Sequence, residues 1–381
     1  MSLENLHITL HAGSHDRHDC PLRFPFPIPF PEGFWQLRSP EGTILPLQRL
    51  DNNEVALCIP EMASGSSDTY ALEQAPSPVE PQASVQSEPD AGSVLMALRG
   101  AIVTRYHYDG VPARPYFHPL LMHGELPLTR AYPMQKDIPG ETQDHPHHRS
   151  LWIAHGEVNH TDNWSEERGH GYTVHQSLDR CFSGPVCGSF ATTSIWTTAD
   201  HNLLLNQQLE VTLWATHETI RMLDFVITLQ ALQEEVFFGD TKEGGILSVR
   251  VASDLDVPRT GRIENVYGGV NEAETWGKPA HWCDYSGRLA GQHVGLAIMD
   301  HPLSFRAPTH WHVRNYGLMT ANPFGYSAFT QGAKNGSHRL LAGESLTFRY
   351  RLLMHPGDAT MGRVNAHYLD FVAPPTVEIS A

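Results

Sequence analysis

Alternation at period two limits most strongly what this chain can become. Leu209, Val211 and Leu213 interleave with Gln208, Glu210 and Thr212. Phe348, Tyr350 and Leu352 interleave with Thr347, Arg349 and Arg351. Successive side chains of a strand point to opposite faces, so each run has one apolar and one polar side. Similar strand character runs through 188–197, 219–231, 245–252, 261–267, 292–299 and 310–319. Gly-Gly at 244–245 and 268–269 and Asn-Gly at 335–336 supply turn chemistry. No regular alternation with helices appears, and no GxGxxG. The pattern predicts an all-β protein whose antiparallel sheets pack as a large sandwich, rather than a parallel α/β fold. One helix is expected near the end. Asp358 caps it, Met361, Val364, Tyr368 and Phe371 recur at helical spacing, and Pro374-Pro375 stops it.

Three regions follow from local composition. Residues 1–59 read as a small N-terminal β unit. The alternate prolines of Phe24 to Pro31 exclude helix and central strand, and an extended backbone packs the phenylalanines at period two. Pro-Glu-Gly and Ser-Pro-Glu-Gly form turns around a short strand at Phe34 to Leu37. Residues 60–93 are rich in Pro, Ser, Glu and Gln, the composition of a linker or loop. Residues 94–381 form the main sandwich and carry the site.

The chain of 381 residues has 40% hydrophobic residues, enough for a substantial core. Its formal net charge is −16 and no segment is rich in Lys or Arg, which argues against nucleic acid and an anionic membrane surface as partners. Five cysteines, an odd number without a CxxC pair, fit a reducing compartment. The N-terminal residues lack a signal-peptide pattern, and no segment reaches the roughly 18 apolar residues that span a bilayer. A cytoplasmic protein is expected.

The densest chemistry lies in Asp144 to Trp164, DHPHHRSLWIAHGEVNHTDNW. It holds five histidines, at 145, 147, 148, 155 and 160. Imidazoles move protons near neutral pH and bind metals, Arg offers a planar fork of donors, and indole faces stack on sugar rings. On an extended backbone His145 and His147 point one way and His148 the other, while His155, Glu157 and Asn159 share a face. His145, His147 and His155 are the candidate ligands for a divalent metal. No HExxH or Cys pair accompanies them.

Three other passages contribute. Asp240 to Gly245 follows the apolar Val236-Phe237-Phe238 and places Lys242 and Glu243 at a strand mouth as an acid–base pair. Trp276 and Trp282, with Asp284, suit a sugar platform. Cys283 lacks the marks of an activated thiolate. In His310-Trp311-His312-Val313-Arg314, the two histidines and Arg314 project from one strand face, followed by Asn315 and Asn322. His118 and Arg130 are expected in the same cavity.

The passages RPYFHPL, DHPHHRSLWIAHGEVN, DTKEGG with TWGKPAHWCDYSG, and HWHVRNYGLMTANPFG occur in the order found in a soluble bacterial family labelled "methane oxygenase PmoA". The chain resembles that family over roughly 95–355. The membrane methane monooxygenase subunit behind the label is a multispan protein, and this chain has no span. The resemblance implies a soluble protein of undefined activity, associated with sugar-oxidoreductase systems, and a fold near the galactose-mutarotase-like β-supersandwich. The insertion at 61–93, Ser150 and His160 depart from the family pattern.

The leading reading is an enzyme acting on a sugar or oxidised (keto) sugar by acid–base chemistry near the ring carbons, as an epimerase, lyase or hydrolase. His147, His155 and His312 are candidate acids. Glu243, Glu157 and Asp284 are candidate bases. Lys242, Arg149 and Arg314 hold hydroxyl or carboxylate groups, and Trp152, Trp164 and Trp282 stack. His118, Arg130, His148, Asn159, Trp276, His310, Asn315 and Asn322 complete the binding set. The second reading is a noncatalytic carbohydrate-binding or sensor protein, and the third a metal-dependent oxygenase. The expected partner is a small carbohydrate, and the residues are compatible with a homo-oligomer.

Overall fold

The computed structural model describes residues 6–380. Two eight-stranded sheets face each other, and a seven-stranded sheet lies beside them. All strand pairings within them are antiparallel. The all-β, sandwich-forming expectation from period-two alternation therefore holds.

One eight-stranded sheet runs in the order His310–Val313, Leu318–Asn322, Gly244–Arg250, Leu151–His155, Tyr116–Phe117, Ala101–His107, Ser93–Leu98 and Ala83–Glu88. The other runs Tyr172–Phe182, Cys187–Thr197, Leu203–Trp214, Arg221–Gln230, Ser345–Pro356, Gln292–Asp300, Trp282–Leu289 and Arg262–Asn265. Between them lies the main core. Leu209, Val211, Leu213, Phe225, Phe348, Tyr350 and Leu352 contribute from one sheet, and Phe117, Leu151, Val249 and Met319 from the other. Each such buried side chain contributes about 1.5–3 kcal/mol. The outer face of the second sheet carries Trp282, Ala297, Met299 and Leu353. It packs under helix Val364–Val372 and against Ala56 of the seven-stranded sheet.

That third sheet has the order Arg17–Pro25, Glu54–Met62, Ile44–Arg49, Trp35–Arg38, Ser67–Gln74, His7–His11 and Thr376–Ser380. Its separate core includes Phe24, Phe26 and Phe30 from the proline-rich run. The last strand, Thr376–Ser380, pairs with the first, His7–His11.

Two expectations are corrected. The stretch at 60–93 is not a continuous linker. Ser67–Gln74 pairs with both His7–His11 and Trp35–Arg38, and Ala83–Glu88 pairs with Ser93–Leu98. Tyr70, Leu72, Ala83 and Val85 are buried at alternate positions, while the intervening Ser, Glu and Gln conceal the pattern in the composition. Residues 75–82 alone form the connector. The final helix starts at Val364 with Arg363 before it, and Met361 lies outside it, exposed. Asp358 instead caps the preceding turn, accepting the N–H groups of Thr360 at 3.1 Å and Met361 at 2.9 Å.

No helix among the described residues is long and apolar enough to cross a membrane.

Candidate functional site

The register of the first sheet separates two rows of side chains. Tyr106, Phe117, Leu151, Val249, Met319 and Val313 are cross-strand partners in sequence and all belong to the core. The neighbouring row is His107, Tyr116, Trp152, Ser248, Thr320 and His312. Directly opposed residues share a face, so this second row lies on the side away from the sandwich core. Ser248 and Thr320 are buried there and hydrogen-bonded to one another. Gly245 lets the strands approach: its φ is +146°, and a Cβ would lie 1.9 Å from Thr320 Oγ1.

The segment 144–149 folds over this face. It is a turn rather than an extended strand, with the His148 N–H donating to His145 O at 3.0 Å. The turn gathers all three histidines, correcting the opposed orientation expected of them. The rings of His145 and His148 stack at 4.7 Å, and His147 meets His148 edge-on at 4.5 Å. His148 stacks on Trp152 at 5.2 Å, and Trp152 packs on Trp164 at 5.5 Å. Both indoles are almost wholly buried, so they form the floor under the imidazoles and are not free sugar platforms. On its other face His145 stacks on Tyr316 at 5.1 Å.

Arg250, from the same strand as Ser248, ties the turn together. It is fully buried. Its Nη2 donates to Asp144 Oδ1 at 2.8 Å, its Nη1 donates to His148 Nδ1 at 3.1 Å, and its guanidinium lies 4.8 Å from the Tyr316 ring. Arg130, also buried, donates to Asp144 and to His145 O. Asp144 Oδ2 in turn lies 2.8 Å from His145 Nδ1. Partial burial alone would raise the Asp144 pKa, but the His145 hydrogen bond and the two guanidiniums hold it well below the usual carboxylate range. Burial, reinforced by neighbouring positive groups, pushes His147 down to about 4 and His148 well below its ordinary value. His148 is a neutral ring whose Nδ1 accepts, which leaves the proton on Nε2.

The strands His310–Val313 and Leu318–Asn322 bring the next groups. Trp276 donates its indole N–H to His312 Nδ1 at 2.9 Å. Burial pushes His312 down to about 3, so it too is neutral, with Nε2 as the donor. Lys242 and Arg314 are near enough to act on the charge of His312, and Glu243, Arg314, Arg250 and Asp144 on that of Tyr316. Arg314 pairs with Glu272 at 2.8 Å and lies 5.3 Å from the Tyr316 ring. Lys242 and Glu243 form a 3.0 Å pair. The face is open: the side chains of His145, Lys242 and Glu243 are 41%, 46% and 50% exposed.

Sequence reasoning thus brought together His145, His147, His148, Arg130, Trp152, Trp164, Lys242, Glu243, Trp276, His312 and Arg314. Other predicted residues are framework. Arg149 is neutralised by a two-pronged contact with Glu166 at 2.7 and 2.6 Å. Asn315 brackets Glu272, and Asn322 holds the carbonyls of Thr241 and Lys242. Asn159 accepts the Phe237 N–H, and Glu157 makes a surface pair with His160. His310 packs against Tyr326 at the sheet edge.

Four residues lie elsewhere. His155 is buried against Phe324 and Phe238 on the core side and donates to or accepts from nothing near His145; its Nε2 lies 3.0 Å from Gly239 O. His155 keeps the alternation of Leu151 and Ile153, both in the main core, whereas Trp152 and Ala154 face the other way. The proposed metal set of His145, His147 and His155 is therefore not assembled. Among the described residues no group of three or more His, Cys, Asp or Glu is placed to hold a metal ion. Asp284 is buried on the outer face of the second sheet, where His355 Nε2 lies 2.8 Å from it. Trp282 shares that face. His118 lines a separate cavity of about 390 Å³ with Leu121, Ile138 and Leu289. Cys283 is buried in the main core, and burial pushes its thiol well up.

Sequence reasoning overlooked Arg250, Tyr316 and the structural part of Asp144. The alternation Ser248-Val249-Arg250 was the available signal, since it places an arginine on the same face as a buried serine.

The fold and this face define an antiparallel β-sandwich that presents a histidine-rich, polar and aromatic surface on one sheet. The chain belongs to a family of unknown function, DUF6807, which it matches over residues 93–369. The undefined activity implied by the sequence resemblance agrees with that description. No curated protein sequence matches the chain. Among solved structures it is similar to a protein in the glycosyl hydrolase family 38 from Enterococcus faecalis, at 12% identity and TM-score 0.43, covering 100% of this chain and 48% of that one. It is also similar to galactose 1-epimerase from Lactobacillus acidophilus NCFM, at 8% identity and TM-score 0.32, covering 73% and 100% of the respective chains. A GalM/aldose epimerase homologue from C. elegans matches at 10% identity and TM-score 0.27, covering 72% and 98%. The chain spans about half the length of the Enterococcus structure it matches.

Proposed function

We propose that this protein is an enzyme that moves protons on a sugar or keto sugar bound against the polar face of the first sheet. The observation that carries the reading is the Asp144–His145 pair. A carboxylate held anionic by two buried guanidiniums accepts from Nδ1 of a half-exposed imidazole. Such a carboxylate fixes the tautomer and stabilises the imidazolium, so Nε2 of His145 serves as the proton-transferring atom. Glu243 is the second group, able to exchange a proton with a hydroxyl or an acidic C–H. His312 donates through Nε2, and Arg314 and Lys242 offer charge to an oxygen that gains electron density. Tyr316, His145, His148 and Trp152 stack on one another, so they present ring edges rather than faces to a bound sugar. Proton removal beside a carbonyl is the step common to the epimerase and lyase forms; return of a proton to the opposite face completes epimerisation, while loss of a protonated β-oxygen substituent with formation of the C=C bond completes elimination.

The test is exchange in D2O. D-glucose, D-galactose and their 3-keto derivatives are incubated with the protein, and loss of C–H signal and anomer interconversion are followed by proton NMR. The expected result is catalysed exchange or interconversion with at least one of them, reduced about 100- to 10,000-fold by His145→Ala. Binding without turnover would replace this reading with that of a noncatalytic sugar-binding protein. Turnover unchanged in both His145→Ala and Glu243→Gln would remove the assigned groups.

A further inference from the structure

A cavity of about 610 Å³, lined by no histidine, lies at the seam between the seven-stranded sheet and the end of strand Tyr172–Phe182 with the turn that follows it. Its size falls in the range that holds a ligand of several rings. The walls are built rather than incidental. Gln48, buried, accepts the N–H groups of Val186 and Cys187, each at 2.9 Å, and donates to Cys187 O at 3.0 Å. Gly184 fits only because it lacks a side chain, since a Cβ there would lie 2.3 Å from the Gln48 amide. One amide thus locks the two sheets together at the base of the groove.

The lining mixes flat aromatic surface with polar groups. Phe34 is 45% exposed, and Trp35 stands beside it with its indole nitrogen buried. Phe182 forms the opposite wall, with the Arg180 guanidinium 5.6 Å from its ring. The charges are matched within the wall. Arg180 pairs with Asp51 at 2.7 Å and Glu210 at 3.0 Å, and Arg49 with Glu32 at 3.6 Å. An anionic ligand would have to displace these carboxylates, and a cation would have to displace the arginines. Asn52 adds an amide at a backbone of φ +58°. Aromatic faces, an amide and self-neutralised charges suit a ligand with flat apolar faces and many hydroxyl groups.

We infer that this seam is a second carbohydrate site, taking a neutral oligosaccharide of two or three rings and separate from the histidine face. Binding is measured on the full chain by saturation-transfer NMR and tryptophan fluorescence, with maltotriose, cellotriose and trigalacturonate as probes. At least one neutral trisaccharide is expected to bind, with Phe34→Ala weakening it about tenfold. Phe34 is exposed, so its loss leaves the core intact; Asn52→Gly, which keeps the backbone angle, is the second variant and also weakens binding. His145→Ala leaves this binding unchanged, which separates the groove from the proposed catalytic face. The inference is overturned if neither neutral trisaccharide binds, if trigalacturonate binds more tightly than both, or if neither groove variant alters affinity. Loss of binding in His145→Ala would move the ligand to the other face and equally overturn it.

Discussion

Trp276 donates its indole N–H to Nδ1 of His312 at 2.9 Å, and this one bond decides which nitrogen of a buried imidazole carries the proton. The two residues come from different elements, the end of helix Asn271–Thr275 and the edge strand His310–Val313. Trp276→Phe removes the donor and leaves a buried acceptor unmet. A loss of about 1–3 kcal/mol in stability is expected. The ring nitrogen shifts of His312 in a long-range nitrogen–proton NMR spectrum should exchange character as Nδ1 takes up the proton. An unchanged tautomer would show that the indole does not set it.

Asp144 serves three partners at once, so its replacement should cost both function and fold. Asp144→Asn withdraws the anion from Arg130 and Arg250 and the acceptor from His145. Because Asp144 is itself half-exposed, solvent screens part of the loss, and about 1–2 kcal/mol is expected. His145→Ala, which removes an exposed ring, should lower turnover at least as much with less effect on stability. Thermal unfolding of the two variants alongside the D2O exchange assay separates these effects.

His155 provides the contrast. It sits between Phe238 and Phe324 in the main core, on the other side of the sheet from His145. His155→Ala is expected to destabilise by about 2–4 kcal/mol through the cavity it leaves. Turnover per folded molecule should stay within about threefold of the parent, because the variant touches no site group. A selective loss of turnover in fully folded His155→Ala would return this residue to the site.

Stability should fall on acidification below pH 6.5, although burial raises the Asp256 and Asp300 carboxyls to about 6 and about 7, and their proton uptake in the folded state opposes the trend. Burial lowers His118, His147, His155 and His310 to about 4, and His312 and His367 to about 3, from an ordinary value of 6.5. Between pH 6.5 and about 4 the unfolded chain therefore binds protons that the folded chain refuses, and unfolding gains free energy as pH drops. For a fully buried ring such as His155 the slope is up to about 1.4 kcal/mol per pH unit. His355 acts in the opposite direction. Its pairing with Asp284 outweighs burial and raises its pKa, so its contribution is full below 6.5 and is lost as pH rises through the raised value. Urea denaturation at pH 7.5, 6 and 5 should show decreasing stability, and His155→Gln should flatten the slope by about one proton. A flat profile across that range would contradict the buried neutral histidines.

The architecture was legible wherever one face of a strand is buried, because Leu209 to Leu213 and Phe348 to Leu352 state their own register. Strands of the connector region were not, since Tyr70, Leu72 and Val85 are sparse among residues typical of loops. The site was half legible. Density of imidazole and indole located it, and the alternation at His310, His312 and Arg314 placed a second edge on it. Parity failed at two points. The tight turn at 145–148 lies between His145 and the strand that carries His155, so the shared parity of the two does not give them a shared face, and the same turn brings His148 back over His145. No residue pattern tells which side of a sheet another sheet will cover, so Asp284 and Trp282 looked equivalent to residues that face the site. Arg250 and Tyr316 act through contacts with chain segments distant in sequence, which spacing alone does not reveal.

The pairing of Thr376–Ser380 with His7–His11 sets an order on assembly. During synthesis His7–His11 emerges long before its outer neighbour Thr376–Ser380 exists, so one border of that sheet must wait, with its backbone donors and acceptors open, until that later strand is made. Closure of that border thereby follows synthesis of every strand of the two eight-stranded sheets, which lie between the pair in sequence.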